Sequence, residues 1–376
     1  MSGDGHTSMM ADRYRALARV GIGGTAVVYR CRDLHTQRIV AVKALRTNSS
    51  NATPEAAKRF YREALLAAQL AHPAIVRVLD FGFTQPITAG SQSHWSDDPD
   101  QPVPYLAMEY IYGSTLKDLL KRLGPLPLDW VWRIGEQLCA ALAAAHALGV
   151  VHRDMKPQNV MLLDAPLELF AKLADFGIAR QIGGDLTALT AEGQVIGTPD
   201  YLSPEQVLGE PGGPSSDLYS LGVVLYELVT GRLPFEADTP LAAASKRMMV
   251  DAPPLTILRR DTPPALQDVI MTAMRRESLD RFQSAADFAE ALRWSRAQSP
   301  AQPETPRGEW ILPAHSEPGR APVSTPRSTP RSTPVLTPSD GAGGAGELDL
   351  SEQPTILRVM MGMRLEAHAR GEDADA

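Results

Sequence analysis

The most informative stretch of this sequence is His152-Arg153-Asp154-Met155-Lys156-Pro157-Gln158-Asn159. It lies between an alanine-rich apolar segment and the apolar run 160–162, which predicts a loop between two buried elements. A carboxylate, an ammonium and an amide in so short a loop suit the transfer of a phosphoryl group. Asp154 can accept the proton of an attacking hydroxyl, Lys156 can neutralise the transferred group, and Asn159 can hold a metal ion.

A second motif, Asp175-Phe176-Gly177, lies downstream and supplies another carboxylate for a metal ion. Two magnesium ions, together with Lys43 and Lys156, would offset the charge of a nucleoside triphosphate. On its own, Asp154 could instead be a helix cap. The presence of both motifs in this order favours the chemical interpretation.

A glycine-rich segment near the N-terminus is a candidate phosphate-binding turn. Its sequence is Gly21-Ile22-Gly23-Gly24-Thr25-Ala26-Val27-Val28, and Val20 precedes it. Glycines let the backbone approach phosphate oxygens without a Cβ clash, and the backbone N–H groups then face those oxygens. Because glycine-rich turns are common, this segment alone is weak support.

A lysine within an apolar strand strengthens that hypothesis. The run Val40-Ala41-Val42-Lys43 places a charge where burial is costly, so Lys43 needs an anionic partner. Glu63 on the next predicted helix and the phosphates of a nucleotide are the two candidates. The structural alternative is a lysine that extends to solvent from a strand edge.

Composition narrows the functional classes. The 376 residues include 37 Lys and Arg against 44 acidic residues, and this acidic balance argues against a nucleic-acid binder. The two cysteines, Cys31 and Cys139, are too few for a disulfide framework, so we expect a reducing, cytoplasmic compartment. The longest apolar stretch, 138–151, is too short to cross a bilayer, and we expect no membrane segment and no secretory signal.

The chain changes character near residue 297. Beyond it, Pro, Ser, Thr, Gly and Ala dominate and Trp310 is the only aromatic residue, so we predict a disordered tail. The tail contains a Ser-Thr-Pro-Arg repeat over residues 324–334. Four apolar residues at helical spacing could dock on a partner, although Gly362 within them favours an unstructured end. They are Ile356, Val359, Met360 and Met363.

The folded part divides into a β-rich and a helical half. Valine-rich runs at 29–32 and 39–45 predict strands, as do 75–81 and 105–108. Residues 54–70 predict a helix, and the polar, acidic stretch 84–104 predicts a surface insertion. After Leu116 the pattern is mainly helical, notably over 128–148 and 218–230.

With these motifs in this order, the sequence resembles the eukaryotic-like (Hanks-type) Ser/Thr protein kinases, especially their bacterial branch. The resemblance runs from Tyr14 to about Trp294. It implies an α+β, bilobal protein-kinase fold with a small β-rich N-lobe over about 14–111 and a larger helical C-lobe over about 112–296. Segments 1–13 and 297–376 are then expected to be disordered. It also implies ATP and Mg²⁺ as cofactors, with Mn²⁺ as an alternative metal, and proteins as substrates.

The resemblance assigns roles to individual residues. Asp154 is then the catalytic base, and Lys156 is its catalytic neighbour. Lys43 pairs with Glu63 and with the nucleotide phosphates. Asn159 and Asp175 bind the metal. Adenine would contact backbone groups of Glu109 and Ile111 in the hinge Met108-Glu109-Tyr110-Ile111. The nucleotide would also contact Val20, Gly21, Ile22, Gly23, Gly24, Thr25, Ala26 and Val27, with Val28, Ala41 and Met161 around the base.

Further motifs match the family. The substrate-docking segment of the family resembles Gly197-Thr198 and Ser203-Pro204-Glu205. Asp217 resembles the residue that braces the family's catalytic loop. Arg281 resembles the arginine that pairs with the glutamate at the position of Glu205. Two departures, Ala26 in place of the third glycine and Ser203 in place of alanine, are expected to be mild. The family also suggests pairing of two chains through the N-lobe.

Two other functions are compatible with part of this sequence pattern. A pseudokinase scaffold would require the loss of Lys43, Asp154 or Asp175, and all three are present. A small-molecule phosphotransferase is not expected to carry the docking segment. We therefore expect a Ser/Thr protein kinase that is activated when it phosphorylates its own Thr187, Thr190 or both.

Overall fold

The computed structural model describes residues 9–23, 26–45, 54–85, 102–163, 169–176 and 199–299. The chain divides into units 1–315 and 316–376, and every described residue belongs to the first. Most of the predicted tail and the predicted insertion therefore lie outside the described residues. Among the described helices, none has the length and apolar character needed to cross a membrane.

The N-terminal lobe is an antiparallel sheet of six strands with one helix, α1, Pro54–Gln69. Its strands are β1 Met9–Met10, β2 Tyr14–Ile22, β3 Ala26–Asp33, β4 Ile39–Leu45, β5 Val78–Thr84 and β6 Val103–Glu109. Their order across the sheet is β1-β2-β3-β4-β6-β5. The predicted strands and helix are confirmed, with β5 starting three residues later than Ile75 because Ile75 instead bridges to Leu173.

The two faces of this sheet bury different clusters. Val40, Val42 and Ala44 of β4 join one apolar cluster, whereas Leu45 joins the other, as expected for a strand whose side chains alternate. The second cluster includes Phe60 and Ala64, the face of α1 that the sequence predicted. The helix therefore covers only one face of the sheet.

The expectation of disorder over 1–13 is wrong for residues 9–13. Met9–Met10 pairs with β2, and Met10 is fully buried. Arg13 donates to both carboxylate oxygens of Asp33 at 2.9 Å and to Asp80 at 3.0 Å. A two-residue strand is too short to leave a periodic pattern, and these ion pairs join residues distant in sequence.

The C-terminal lobe combines a small sheet with a helical core. Its strands are β7 Gly113–Thr115, β8 Val160–Leu163 and β9 Ala171–Leu173. Its helices are α2 Leu116–Leu123, α3 Leu128–Ala147, α4 Pro204–Val207, α5 Pro214–Thr230, α6 Pro240–Met249, α7 Leu255–Leu258, α8 Pro264–Ala273 and α9 Ala285–Ala297. Because α9 includes Ala297, the first residue of the expected tail belongs to a helix.

Helix α5 is the centre of this lobe, since every residue from Ser216 to Thr230 is buried. Its neighbours pack tightly, and a Cβ on Gly222 would lie 2.9 Å from the Met274 side chain. The helix begins at Pro214, four residues before the predicted start, because proline suits a first helical position. This rigid helix positions the catalytic loop.

Candidate active site

The backbone of the predicted catalytic loop is held by one buried carboxylate. Asp217, in the first turn of α5, is 1% exposed. It accepts hydrogen bonds from the backbone N–H groups of His152 at 2.8 Å and Arg153 at 2.7 Å. His146 Nε2 lies 2.8 Å from the same carboxylate. The predicted bracing role of Asp217 is therefore confirmed, and His146 belongs to this brace.

His152 connects the loop to the Asp175 segment. Its Nδ1 accepts the backbone N–H of Asp154 at 3.2 Å, so the proton belongs on Nε2, which donates to the carbonyl of Ala174 at 2.9 Å. The ring also packs edge-on against Phe176, with centroids 4.8 Å apart. His152 is thus a structural residue, as the sequence suggested.

Arg153 has a strained backbone, with φ at +60°. Three contacts hold it. Its N–H bonds to Asp217, its Nε donates to the carbonyl of Gly212 at 3.1 Å, and its own carbonyl accepts from Gln206 Nε2 at 3.4 Å. These contacts fix the backbone that leads directly into Asp154.

Asp154, Lys156 and Asn159 converge as the sequence predicted. Lys156 Nζ lies 2.8 Å from Asp154 Oδ2, and Asn159 Nδ2 donates to that oxygen at 3.0 Å and to the Asp154 carbonyl at 2.8 Å. The Asp154 side chain is 21% exposed, so it remains accessible to a substrate hydroxyl. The group can accept a proton beside a fixed cation.

Lys43 does not make the pair that the resemblance implied. Its Nζ lies 2.8 Å from Asp175 Oδ1. Among the described residues, Glu63 forms no ion pair with Lys43. The physical reason is that Asp175 offers its carboxylate to the same ammonium. Burial raises the pKa of Glu63 to about 7. The charges of nearby arginines, chiefly Arg153, lower this pKa but do not cancel the effect of burial.

A small cavity of about 30 Å³ lies beside the Lys43–Asp175 pair. It is lined by Ala67 of α1, by Met108 at the start of the hinge, and by Phe176. Helix α1, the sheet and the Asp175 segment therefore meet around a space that is not fully packed.

The strand register shows which of the predicted nucleotide-binding residues have side chains on the same face of the sheet as Lys43. Val28 lies opposite Lys43, and Ala41 is two residues before Lys43, so the three side chains share one face of the sheet. Val27 lies on the opposite face, is 3% exposed and packs in the other apolar cluster. The expected contact between Val27 and the nucleotide stays a prediction, and strand alternation limits it to the Val27 backbone.

The glycine-rich turn is described in part. Gly21 lies opposite Val28, and the N–H of Gly23 donates to the carbonyl of Ala26 at 2.8 Å. Val20 and Ile22 are exposed, at 49% and 60%. Gly24 and Thr25 lie outside the described residues.

The predicted hinge carries an ion pair that the sequence interpretation missed. Glu109 ends β6, and its Oε1 lies 2.6 Å from Lys172 Nζ and accepts the N–H of Arg77 at 2.9 Å. Lys172 is opposite Met161 in the small sheet, and Ile111, the last residue of the hinge, is half-buried. The sequence does contain a signal for this ion pair, because Lys172 lies between the apolar residues Ala171 and Leu173. As for Lys43, a lysine in such an apolar strand needs an anionic partner.

The oxygen donors suit a divalent metal ion. Because the Asn159 nitrogen donates to Asp154, its side-chain oxygen is the atom left for a metal. Asp175 is one third exposed and supplies a carboxylate. Amide and carboxylate oxygens are the ligands that hard divalent cations prefer, so these residues fit such an ion.

The docking segment is anchored by a bidentate ion pair. Arg281 donates to both oxygens of Glu205 at 2.8 Å, as predicted. Burial alone would raise the pKa of Glu205, but the bonds from Arg281 and Ser216 lower it to about 2. Ser203 caps α4 with Gln206. Gly177, Gly197-Thr198 and both candidate threonines lie outside the described residues.

Known proteins are similar to this chain in sequence. The family model of the protein kinase domain matches residues 14–292. The chain is 38% identical over 296 residues to serine/threonine-protein kinase PknB of Mycolicibacterium smegmatis, covering 78% of this chain and 45% of that protein. It is 39% identical over 280 residues to a probable serine/threonine-protein kinase of Clostridium perfringens, covering 74% of this chain and 38% of that protein. These matches span less than half of each relative.

Solved structures agree in fold. The kinase domain of Mycobacterium tuberculosis PknI superposes with a TM-score of 0.57 at 25% identity, covering 78% of this chain and all of that chain. A structure of Rad53 residues 1–466 in complex with AMP-PNP gives a TM-score of 0.59 at 24% identity, covering 74% of this chain and 64% of that one, which shows the fold alone.

Proposed function

Because the chain belongs to the protein kinase family, we propose that it transfers the γ-phosphate of ATP to serine and threonine hydroxyls of other proteins. The observation that carries this proposal is the convergence of Lys156 and Asn159 on the carboxylate of Asp154. Both relatives described above are named as serine/threonine-protein kinases, in one case as a probable one.

In the proposed mechanism, Asp154 orients the substrate hydroxyl and takes its proton. Lys156 stabilises negative charge on the transferred group, and Lys43 holds the phosphates of ATP. Asn159 and Asp175 would hold Mg²⁺, or Mn²⁺ as an alternative, which neutralises phosphate charge when bound. Val28, Ala41 and Met161 would enclose adenine beside the hinge backbone of Glu109 and Ile111.

We propose that Lys43 exchanges partners during this reaction. Its present partner, Asp175, is needed for the metal, and Glu63 is a carboxyl on the helix beside the same cavity. Transfer of the Lys43 ammonium to Glu63 would release Asp175.

The experiment incubates the purified chain with γ-labelled ATP, Mg²⁺ and a generic protein substrate, followed by acid hydrolysis of the product. We expect labelled phosphoserine and phosphothreonine, and their loss in Lys43→Met and Asp154→Asn. Dominant phosphotyrosine, or turnover of ATP without labelled protein, would contradict the proposal.

Activation by the enzyme itself is a further part of the proposed function. Thr187 and Thr190 lie between Asp175 and Glu205 in sequence, and a phosphothreonine there could pair with Arg153. Phosphosite mapping of the active chain and the activity of Thr187→Ala/Thr190→Ala test this. A fully active double variant would mean that no such switch exists.

We also propose a cytoplasmic location, supported by two buried cysteines that form no disulfide with each other. Pairing of two chains through the N-lobe and a partner for the tail remain proposals that rest on the sequence alone. Size measurement of the intact chain in solution tests the first of these.

A further inference from the structure

A buried carboxylate of α5 is neutralised from within the molecule. Glu227 is 5% exposed. Its Oε1 lies 2.9 Å from Lys117 Nζ, and its Oε2 accepts the hydroxyl of Tyr201 at 2.5 Å. Burial, and then the charge of Glu227, raise the pKa of Tyr201 well above its usual range. The tyrosine therefore stays protonated and acts as a donor.

The three residues come from α2, from α5 and from the turn that precedes the docking segment. Lys117 lies in the first turn of α2, which packs against the turn Pro157–Asn159 of the catalytic loop. Tyr201 ends the turn Pro199–Tyr201, two residues before the docking residue Ser203. Ser220 on α5 donates to the Tyr201 carbonyl at 2.7 Å and fixes that turn. The cluster thus joins the catalytic loop to the docking segment.

The exposed charge of this cluster is positive. The Lys117 side chain is 26% exposed, whereas the Glu227 side chain is 7% exposed. A buried carboxylate without an internal cation would attract an arginine or lysine of a substrate. Here the ammonium already occupies that position, and a second cation brought beside it would be repelled.

We infer that Lys117 is a specificity-determining residue that selects against substrates with basic side chains near the phosphorylated hydroxyl. The chain then prefers serines and threonines in neutral or acidic surroundings. This inference rests on the proposed function and adds the class of substrate. Removal of the Lys117 ammonium leaves Glu227 in need of a cation, which a substrate arginine can supply.

The experiment compares kcat/KM for peptides that carry one threonine and differ in a single flanking residue. Glutamate, alanine and arginine are placed in turn at each position around the threonine. The enzymes are the full chain, Lys117→Met, the charge-preserving Lys117→Arg, and Lys121→Met as a matched control. Lys121 is an exposed lysine one turn further along α2.

We expect the wild type to disfavour arginine at one or more positions. Lys117→Met should raise the arginine-to-glutamate ratio of kcat/KM there by about tenfold, while Lys117→Arg and Lys121→Met keep the wild-type ratio. An unchanged ratio in folded Lys117→Met would overturn the inference. If that variant does not fold, a wild-type preference for arginine peptides would overturn it. A wild type that phosphorylates none of the peptides would contradict the proposed function itself.

Discussion

Two carboxyl groups of this molecule have opposite surroundings. Asp217 receives two backbone N–H groups and the ring of His146, all within 2.8 Å. Glu63 is half-buried, and within the described part of the chain it has no ion pair with Lys43, the lysine expected to hold it. The first accepts these hydrogen bonds and fixes the catalytic loop, whereas burial favours the protonated form of the second.

The difference shows which half of the active site is already assembled. Around Asp154, the N–H groups of Arg153 and Asp154 and the amide of Asn159 have partners in the same loop or on the rigid helix α5. Around Lys43, one ammonium has two candidate carboxylates, and only Asp175 contacts it. We therefore expect the catalytic loop to be structurally stable and the contact between α1 and the sheet to change conformation.

The largest effect is expected for Asp217→Asn. The substitution removes a charge that two backbone donors share, which should lower the free energy of unfolding by about 1.5–3 kcal/mol. Displacement of the loop should lower kcat by about tenfold to a hundredfold. Urea denaturation and steady-state kinetics measure the two effects.

The matched control is Asp268→Asn, because Asp268 is exposed on α8. It should change neither quantity. If Asp217→Asn behaved like this control, the loop would not depend on the buried carboxylate, and the comparison with Glu63 would fail.

Glu63→Gln should produce a smaller effect that depends on pH. The pKa of Glu63 is about 7 in the folded chain, above the ordinary value of 4.5. The folded state therefore holds a proton that the unfolded state has released, and the wild type loses stability as the pH rises from about 4.5 to 7. The variant has no such loss, so its stability relative to wild type should increase between pH 5 and pH 8.

Denaturation at both pH values tests this expectation, with Glu290→Gln as an exposed control on α9. The same variant should lose phosphoryl transfer, since the proposed mechanism requires the Glu63 carboxylate. An equal stability difference at pH 5 and pH 8 would mean that Glu63 is ionised in the folded chain.

The smallest effect is expected for deletion of residues 300–376. The proposed chemistry lies upstream, and α9 ends at Ala297. Activity on a peptide substrate should therefore stay within about twofold of wild type, as for surface changes remote from a site. A truncated chain that folds normally but loses most peptide activity would place the tail inside the catalytic machinery.

The contrast between the catalytic loop and the surroundings of Lys43 also explains which features could be predicted from the sequence and which could not. The loop 152–159 was predictable because its side chains act within a few residues of one another. The partner of Lys43 was not, because it depends on the position of α1 relative to the sheet. The orientation of Val27 follows from strand alternation and could have been predicted, whereas β1, of two residues, is too short to leave a periodic pattern.

The most direct test of the central claim is single-turnover transfer from γ-labelled ATP to a threonine peptide by wild type and Asp154→Asn. Thermal unfolding of both proteins accompanies the measurement. The account predicts a rate about a hundredfold to ten-thousandfold lower in Asp154→Asn with an unfolding temperature close to that of wild type. A folded Asp154→Asn chain that transfers phosphate at nearly the wild-type rate would contradict it.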